Sequence, residues 1–363
     1  NIHTLTTTHT PPTPYTLASD PAYAAGRDAP YQPTAATRET LPPSPPFAAY
    51  PQPLAFPPQF LFGVATAPAH VEDQLDDAWL TFCREPHHCH AWETTPTHEE
   101  RLRFWSQPET EINLAADLGS SVFRMGVDWS RLAPSPSSAF LNTASARCIG
   151  YCQQPPPRPS PPPTAAADGP DDSSPCVCSG VQDAAALARY AEIADLVRAR
   201  GMKLIVTIFH HSLPEWVGSA GGWLNPNVVR EFGLFSRDVA EGLGERVDYW
   251  LTMNEPMAFA LFTYIEGTWP QALPKSNYIE VMYNVARGES HSILKAVDHL
   301  AEAHHFAYDE IHRVHARRGW RAPAVGMAAR AQTLEPASFT DVPAVAVARS
   351  YMDFTMVDRI KSK

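Results

Sequence analysis

The sequence predicts an α/β fold built as a barrel of parallel strands, on three observations. Short apolar runs alternate with stretches of helical period, so each strand is followed by a helix. The runs are apolar at nearly every position, as strands covered on both faces must be. Polar residues mark the ends of the runs, and no glycine-rich phosphate loop follows the first one, which favours a barrel mouth over a Rossmann sheet.

The elements follow in order. Residues 60–67 read as a buried strand, and residues 109–118 as a helix with apolar positions at Ile112, Leu114, Ala115 and Leu118. Residues 121–127 form a second strand. Residues 183–200 form a helix that Gly201 ends, and 203–209 a third strand. A helix over 227–243 leads to a fourth strand at 249–253. A long helical stretch over 289–317 precedes a fifth strand at 324–328.

Composition bounds the rest. At 363 residues, 44% hydrophobic and 18% charged, the chain can bury a large core. Its 37 prolines are about twice the average usage and gather in residues 1–58 and 134–175. Residues 1–56 therefore read as a disordered Pro/Thr-rich leader, and 57–363 as a partial barrel domain with a Pro/Ser/Cys-rich insertion at 134–180. Residues 1–40 carry much Thr and Ala and few acids, the bias of a plastid transit peptide or of a plain leader; no secretory signal is readable. A net charge of -11 argues against nucleic acid as a partner and fits a neutral, sugar-like substrate. No apolar run approaches the roughly 20 residues of a membrane-spanning helix.

Six cysteines lie outside the periodic segments. Cys148, Cys152, Cys176 and Cys178 sit in the Pro-rich insertion at spacings that match no standard zinc pattern; unpaired thiols, two disulfides or a zinc knot all fit. Cys83, His87, His88, Cys89 and His90 have more metal-ligand character. A solvated loop is the simpler reading, because ligands so close in sequence usually need partners from elsewhere.

The chemistry concentrates at the strand ends. Trp250-Leu251-Thr252-Met253-Asn254-Glu255-Pro256 is a short apolar run that delivers an Asn-Glu pair and is stopped by proline. A carboxylic acid presented in this way at a barrel mouth suits a general acid/base, one of the two carboxylates that cleave glycosidic bonds with retention. His70 follows the first strand. Arg124 lies in the second with Asp128 and Trp129 just beyond, and His210 and His211 end the third. A lone His or Arg is more often a satisfied core or interface residue; for Glu255 the lesser alternative is a helix cap or a barrel-holding partner of Arg124, since the preceding Asn and following Pro match a catalytic strand end. Jointly they make a convergent site.

Residues 60–67 (Phe-Leu-Phe-Gly-Val-Ala-Thr-Ala), Phe123-Arg124 through Trp129-Ser130-Arg131, Phe209-His210, Gly221-Gly222-Trp223 and Thr252-Met253-Asn254-Glu255-Pro256 occur in an order that resembles glycoside hydrolase family 1 over about residues 57–330. Within that family Ala65 through Asp73, Leu75-Asp76-Asp77-Ala78-Trp79 and Phe209-His210-His211-Ser212-Leu213-Pro214 look like the galactolipid galactosyltransferase branch. There His70 stands where most members have Gln, and His211 where they have Trp.

The resemblance implies a (β/α)8 TIM barrel that transfers a β-galactosyl group between galactolipids with retention. Glu255 would protonate the diacylglycerol oxygen as it leaves and then deprotonate an incoming sugar hydroxyl. Asn254 would bind the 2-hydroxyl, His210 the 3-hydroxyl and His70 the far hydroxyls. Arg124 would orient the nucleophile, and Trp129 would wall the pocket. The same resemblance implies peripheral association with the chloroplast outer envelope and activation by a divalent cation such as Mg, with no other cofactor and no metal site readable in the residues. Arg313, Arg317, Arg318 and Arg321 are a modest basic stretch, which usually means a solvated helix face.

Two departures stand beside the matches. Only five strands are read where a barrel needs eight, and no Thr-Glu-Asn-Gly-like strand end appears, so no nucleophile is assigned in this chain. The insertion at 134–180 also falls where the family runs straight into its helix. The sequence thus predicts a barrel truncated after about five strands, without turnover by itself. Three readings stay open: a galactolipid galactosyltransferase, a hydrolase of soluble β-glycosides, and a non-catalytic remnant.

Overall fold

The structure is a computed structural model that describes residues 56–85, 100–136, 151–153, 177–270 and 292–330, with residues 335–339, 342, 343, 345 and 360. The chain divides into two compact units, Asn1–Pro58 and Gln59–Lys363. All but the last three residues of the first unit, and with them the predicted leader, lie outside the described residues.

The second unit holds β1 (Gly63–Ala65), β2 (Val122–Gly126), β3 (Tyr151–Gln153), β4 (Val177–Ser179), β5 (Lys203–Phe209), β6 (Tyr249–Asn254) and β7 (Ala324–Ala328). Five of these make one parallel sheet in the order β1-β2-β5-β6-β7. Sequential neighbours with helices between them are the pattern of successive β/α units in a barrel. The other two, β3 and β4, form a separate antiparallel hairpin in the insertion, with Cys152 opposite Cys178 in its register. Sequence reading gave no strands there, because the polar, proline-rich flanks hide two three-residue strands.

The helices are α1 (Pro68–Val71), α2 (Ala78–Arg84), α3 (Pro108–Asp117), α4 (Trp129–Leu132), α5 (Ala184–Ala199), α6 (Glu215–Ser219), α7 (Asn227–Leu243), α8 (Pro256–Leu261) and α9 (Ser292–Arg318). Their ends follow capping chemistry. The side chains of Asp77, Asp128 and Asp183 accept the backbone N–H of Leu80, Arg131 and Ala186 at the starts of α2, α4 and α5. Gly201, at φ +77°, turns the chain from α5 into β5, a backbone region that glycine enters without steric cost.

The core lies between this sheet and the helices α5, α7 and α9. Leu204, Val206 and Ile208 of β5 are buried, as are Tyr190, Ile193 and Val197 of α5 and Phe232, Phe235 and Val239 of α7. β1 departs from expectation. The predicted strand over 60–67 pairs only at Gly63–Ala65 and is exposed throughout, with Phe60 and Phe62 also exposed. Its apolar residues suit a strand with neighbours on both sides, whereas here β1 is an edge.

Candidate active site

Three adjacent strands are tied together at their C-terminal ends. Arg124 of β2 donates through Nε to Thr207 Oγ1 of β5 at 2.8 Å and through Nη2 to Asn254 Oδ1 of β6 at 2.7 Å. Thr207 is fully buried in a strand that is apolar elsewhere past Lys203, and the arginine crossing the sheet gives its hydroxyl a partner. With Oδ1 of Asn254 taken, the amide nitrogen remains to donate toward a ligand.

Glu255 follows directly. Its backbone turns into the left-handed region at φ +40°, and its N–H donates to the Ala328 carbonyl of β7 at 2.7 Å. Pro256 then opens α8, where the absence of an N–H is harmless. Glu255 occupies the cap position of that helix, yet its side chain makes no capping bond. Arg124 directs its hydrogen bonds to Thr207 and Asn254 while Glu255 acts on it through charge, which opposes the lowering of the Arg124 pKa by burial. The carboxylate therefore does not cap α8, and its link to Arg124 is one of charge.

The histidines behave differently from one another. Burial pushes His210 far below the usual histidine range, reinforced by His211, Arg124 and His70, so the ring is neutral. Its Nδ1 is buried without a hydrogen-bond partner, an atom that a ligand hydroxyl could satisfy. His211 is lowered to about 4, chiefly by burial. Its Nε2 lies 2.8 Å from the Asn254 carbonyl oxygen, and its own carbonyl accepts the Trp79 indole N–H at 3.1 Å. His70 is exposed on α1; partial burial and Arg101 lower it, and its charge bears on both other histidines. Arg124, His70, His210, Asn254 and Glu255 therefore do gather at one mouth.

Trp129 does not join them. It is 2% exposed and packs against Trp216, Trp223, Phe232 and Phe235, with the Phe235 ring stacked at 5.3 Å, so it is a core residue and not the expected pocket wall. Asp128 before it caps α4, and that short helix turns the indole inward.

A second polar cluster, behind the mouth, escaped sequence reading. Glu72 is buried with Arg131 Nε at 3.0 Å and the Tyr190 hydroxyl at 2.9 Å, and that hydroxyl in turn accepts the Asp128 N–H at 3.0 Å. Burial pushes the Glu72 carboxyl up to about 7, against the pull of Arg131. Asp77, Arg101 and Ser212 form a parallel link, with Asp77 bonded to Arg101 at 2.9 Å and to Ser212 at 3.1 Å. These bonds adjoin the site: Glu72 follows the helix that carries His70, and Ser212 follows His211.

The remaining expectations concern metals and membranes. Among the described residues no group of three or more His, Cys, Asp and Glu is arranged to hold a metal ion. No step is assigned to a divalent cation. Cys83 is disulfide-bonded, which removes it as a thiolate ligand; His87, His88, Cys89 and His90 lie outside the described residues, as do Cys148 and Cys176. Arg313 pairs with Glu310, Arg317 and Arg318 with Glu241, and Arg321 approaches Asp248 at 3.9 Å. The three arginines of this stretch that lie on α9 are thus each paired with a glutamate, and Arg321 lies past the helix end. No helix among the described residues is long and apolar enough to cross a membrane.

Comparison with known proteins places this arrangement. The model of glycosyl hydrolase family 1 matches residues 52–147 and 178–358, leaving out residues 148–177 of the insertion. The chain is 32% identical to the beta-glucosidase-like SFR2, chloroplastic, of Oryza sativa subsp. japonica over 84% of its length and 52% of that protein. It is 31% identical to the galactolipid galactosyltransferase SFR2, chloroplastic, of Arabidopsis thaliana over 84% of its length and 50% of that protein. The chain therefore spans about half the length of these relatives. Among solved structures, a beta-glycosidase from Pyrococcus horikoshii superposes with a TM-score of 0.60 at 23% identity, covering 85% of this chain and 56% of that one. The five-stranded parallel sheet is the corresponding part of that TIM-barrel fold. The chain belongs to glycosyl hydrolase family 1.

Proposed function

We propose that this chain carries the acid/base half of a retaining site that transfers galactosyl groups between galactolipids. The observation that supports it most is the fixed Asn254–Glu255 turn at the mouth, with Arg124 braced across three strands beneath it. Its 31% identity to a galactolipid galactosyltransferase supplies the substrate class.

The chemistry is a double displacement. A carboxylate from outside the described residues attacks the anomeric carbon as Glu255 protonates the departing glycosidic oxygen, releasing diacylglycerol. Glu255, now a carboxylate, removes the proton from a hydroxyl of a second galactolipid. That oxygen attacks the glycosyl-enzyme bond, returning the nucleophile and lengthening the headgroup by one sugar. The Asn254 amide nitrogen donates to the hydroxyl beside the anomeric carbon. His210, neutral and with an unused ring nitrogen, bonds the next hydroxyl, and His70 reaches a farther one. Arg124 aligns the nucleophile electrostatically. A plastid envelope location with peripheral membrane contact fits that substrate.

Hydrolysis of β-glycosides is the second reading, favoured by the family match, because water can take the acceptor hydroxyl's place without any change in machinery. The test joins the chain to a family segment bearing the second carboxylate and supplies monogalactosyl diacylglycerol. Oligogalactolipid is the expected product. Free galactose, or faster turnover of soluble aryl β-glucosides than of lipid, would establish the second reading instead. The chain without that segment should show neither.

A further inference from the structure

The backbone at Glu255 is held in a conformation that it would not adopt unaided. A non-glycine residue at φ +40° is uncommon and persists only where its surroundings impose it. The peptide plane that enters Glu255 consists of the Asn254 carbonyl and the Glu255 N–H, and both of its polar groups are gripped. The N–H donates to the Ala328 carbonyl at 2.7 Å, and the carbonyl lies 2.8 Å from His211 Nε2. A peptide plane held at both of its polar groups resists rotation, so the backbone enters Glu255 from a fixed plane, which restricts how the side chain can leave the strand end.

His211 is itself anchored. Its backbone sits at φ +69°, the Trp79 indole bonds its carbonyl, and its ring lies against Phe259 and Trp269 with centroids 5.9 and 4.6 Å away. Because the ring is neutral at ordinary pH, it has a single N–H, and a bond to a carbonyl requires that hydrogen on Nε2. We infer that His211 is a positioning residue for Glu255, acting through the Asn254–Glu255 peptide plane and contacting no substrate itself. The inference rests on the reading of Glu255 as the acid/base and adds the group that aims it.

The test reads the backbone rather than turnover. In the chain with 15N in its imidazoles and amides, His211 should show the Nε2–H tautomer, and the Glu255 amide should exchange slowly with solvent. In H211A that amide should exchange about tenfold faster, while buried amides of β5 keep their protection. H211Q, whose side-chain amide can donate to the same carbonyl, should recover most of the protection. An Nδ1–H tautomer in the unaltered chain, Glu255 protection unchanged in H211A, or equal loss across β5 and β6 would overturn the inference. If H211A does not fold, the tautomer and H211Q decide: a Glu255 amide unprotected in folded H211Q counts against it. Because none of these readouts involves galactosyl transfer, an inactive enzyme would count against the proposed function alone.

Discussion

The middle of the sheet and its margins differ sharply. β2, β5 and β6 are almost wholly buried and cross-linked by Arg124, Thr207 and Asn254. β1 is exposed at every residue, and β7 is only partly covered. A strand gains full burial only with neighbours on both sides, and a closed barrel provides them for all its strands. The difference teaches where the site draws its rigidity. Glu255, Asn254 and Arg124 rest on or beside strands that have neighbours on both sides, whereas β1 and β7 are the edges of the sheet among the described residues.

Substitutions can break or sharpen this contrast. The largest effect is expected in the interior: Trp129→Ala should lose about 3–5 kcal/mol of stability by thermal or denaturant unfolding, because the indole fills the core. A mild loss with a large change in sugar selectivity would return Trp129 to the pocket. Next is Glu72, whose carboxyl binds its proton more tightly in the native state than in the unfolded chain because burial raises it from 4.5 to about 7. The stability this contributes is fully present below about pH 4.5 and is lost as pH rises through about 7, on the order of 3 kcal/mol. E72Q should flatten that part of the stability profile, and an unchanged slope would assign the pH dependence elsewhere. At the margin, Phe62→Ser should change stability by no more than about 0.5 kcal/mol, because the ring is 52% exposed. A loss as large as that of Trp129→Ala would mean that the β1 edge is covered after all.

The same contrast explains what was legible in the sequence. The strand over 203–209 and the helix over 227–243 coincide with β5 and α7, because apolar run length and periodicity report burial directly; the strand over 324–328 coincides with β7 although that edge strand is only partly covered. The 183–200 helix is off only by its caps, Asp183 and Arg200. β1 was over-extended because Phe60 and Phe62 have the apolar pattern of an interior strand that the sheet does not provide. At the mouth, His210, Asn254 and Glu255 stood out from their places at strand ends, and Arg124 as a charged residue within an apolar strand. Trp129 was misread because nothing in the sequence says which way a residue in a four-residue helix points. The Glu72, Arg131 and Tyr190 cluster was invisible because its partners are 59 and 118 residues apart, a separation no local spacing rule covers. Thr207 left one signal that could have been used, a lone hydroxyl in an apolar strand.

The central claim is that Glu255 is the proton donor and acceptor of the transfer. The most direct measurement compares E255Q with the unaltered sequence, both joined to a family segment carrying the second carboxylate, on two substrates. On monogalactosyl diacylglycerol, whose leaving oxygen needs a proton, kcat/KM should fall about 10²–10⁴-fold. On an aryl β-galactoside with a strongly acidic leaving group, the first step should fall far less. Equal losses on both substrates, or none on the lipid, would contradict the claim.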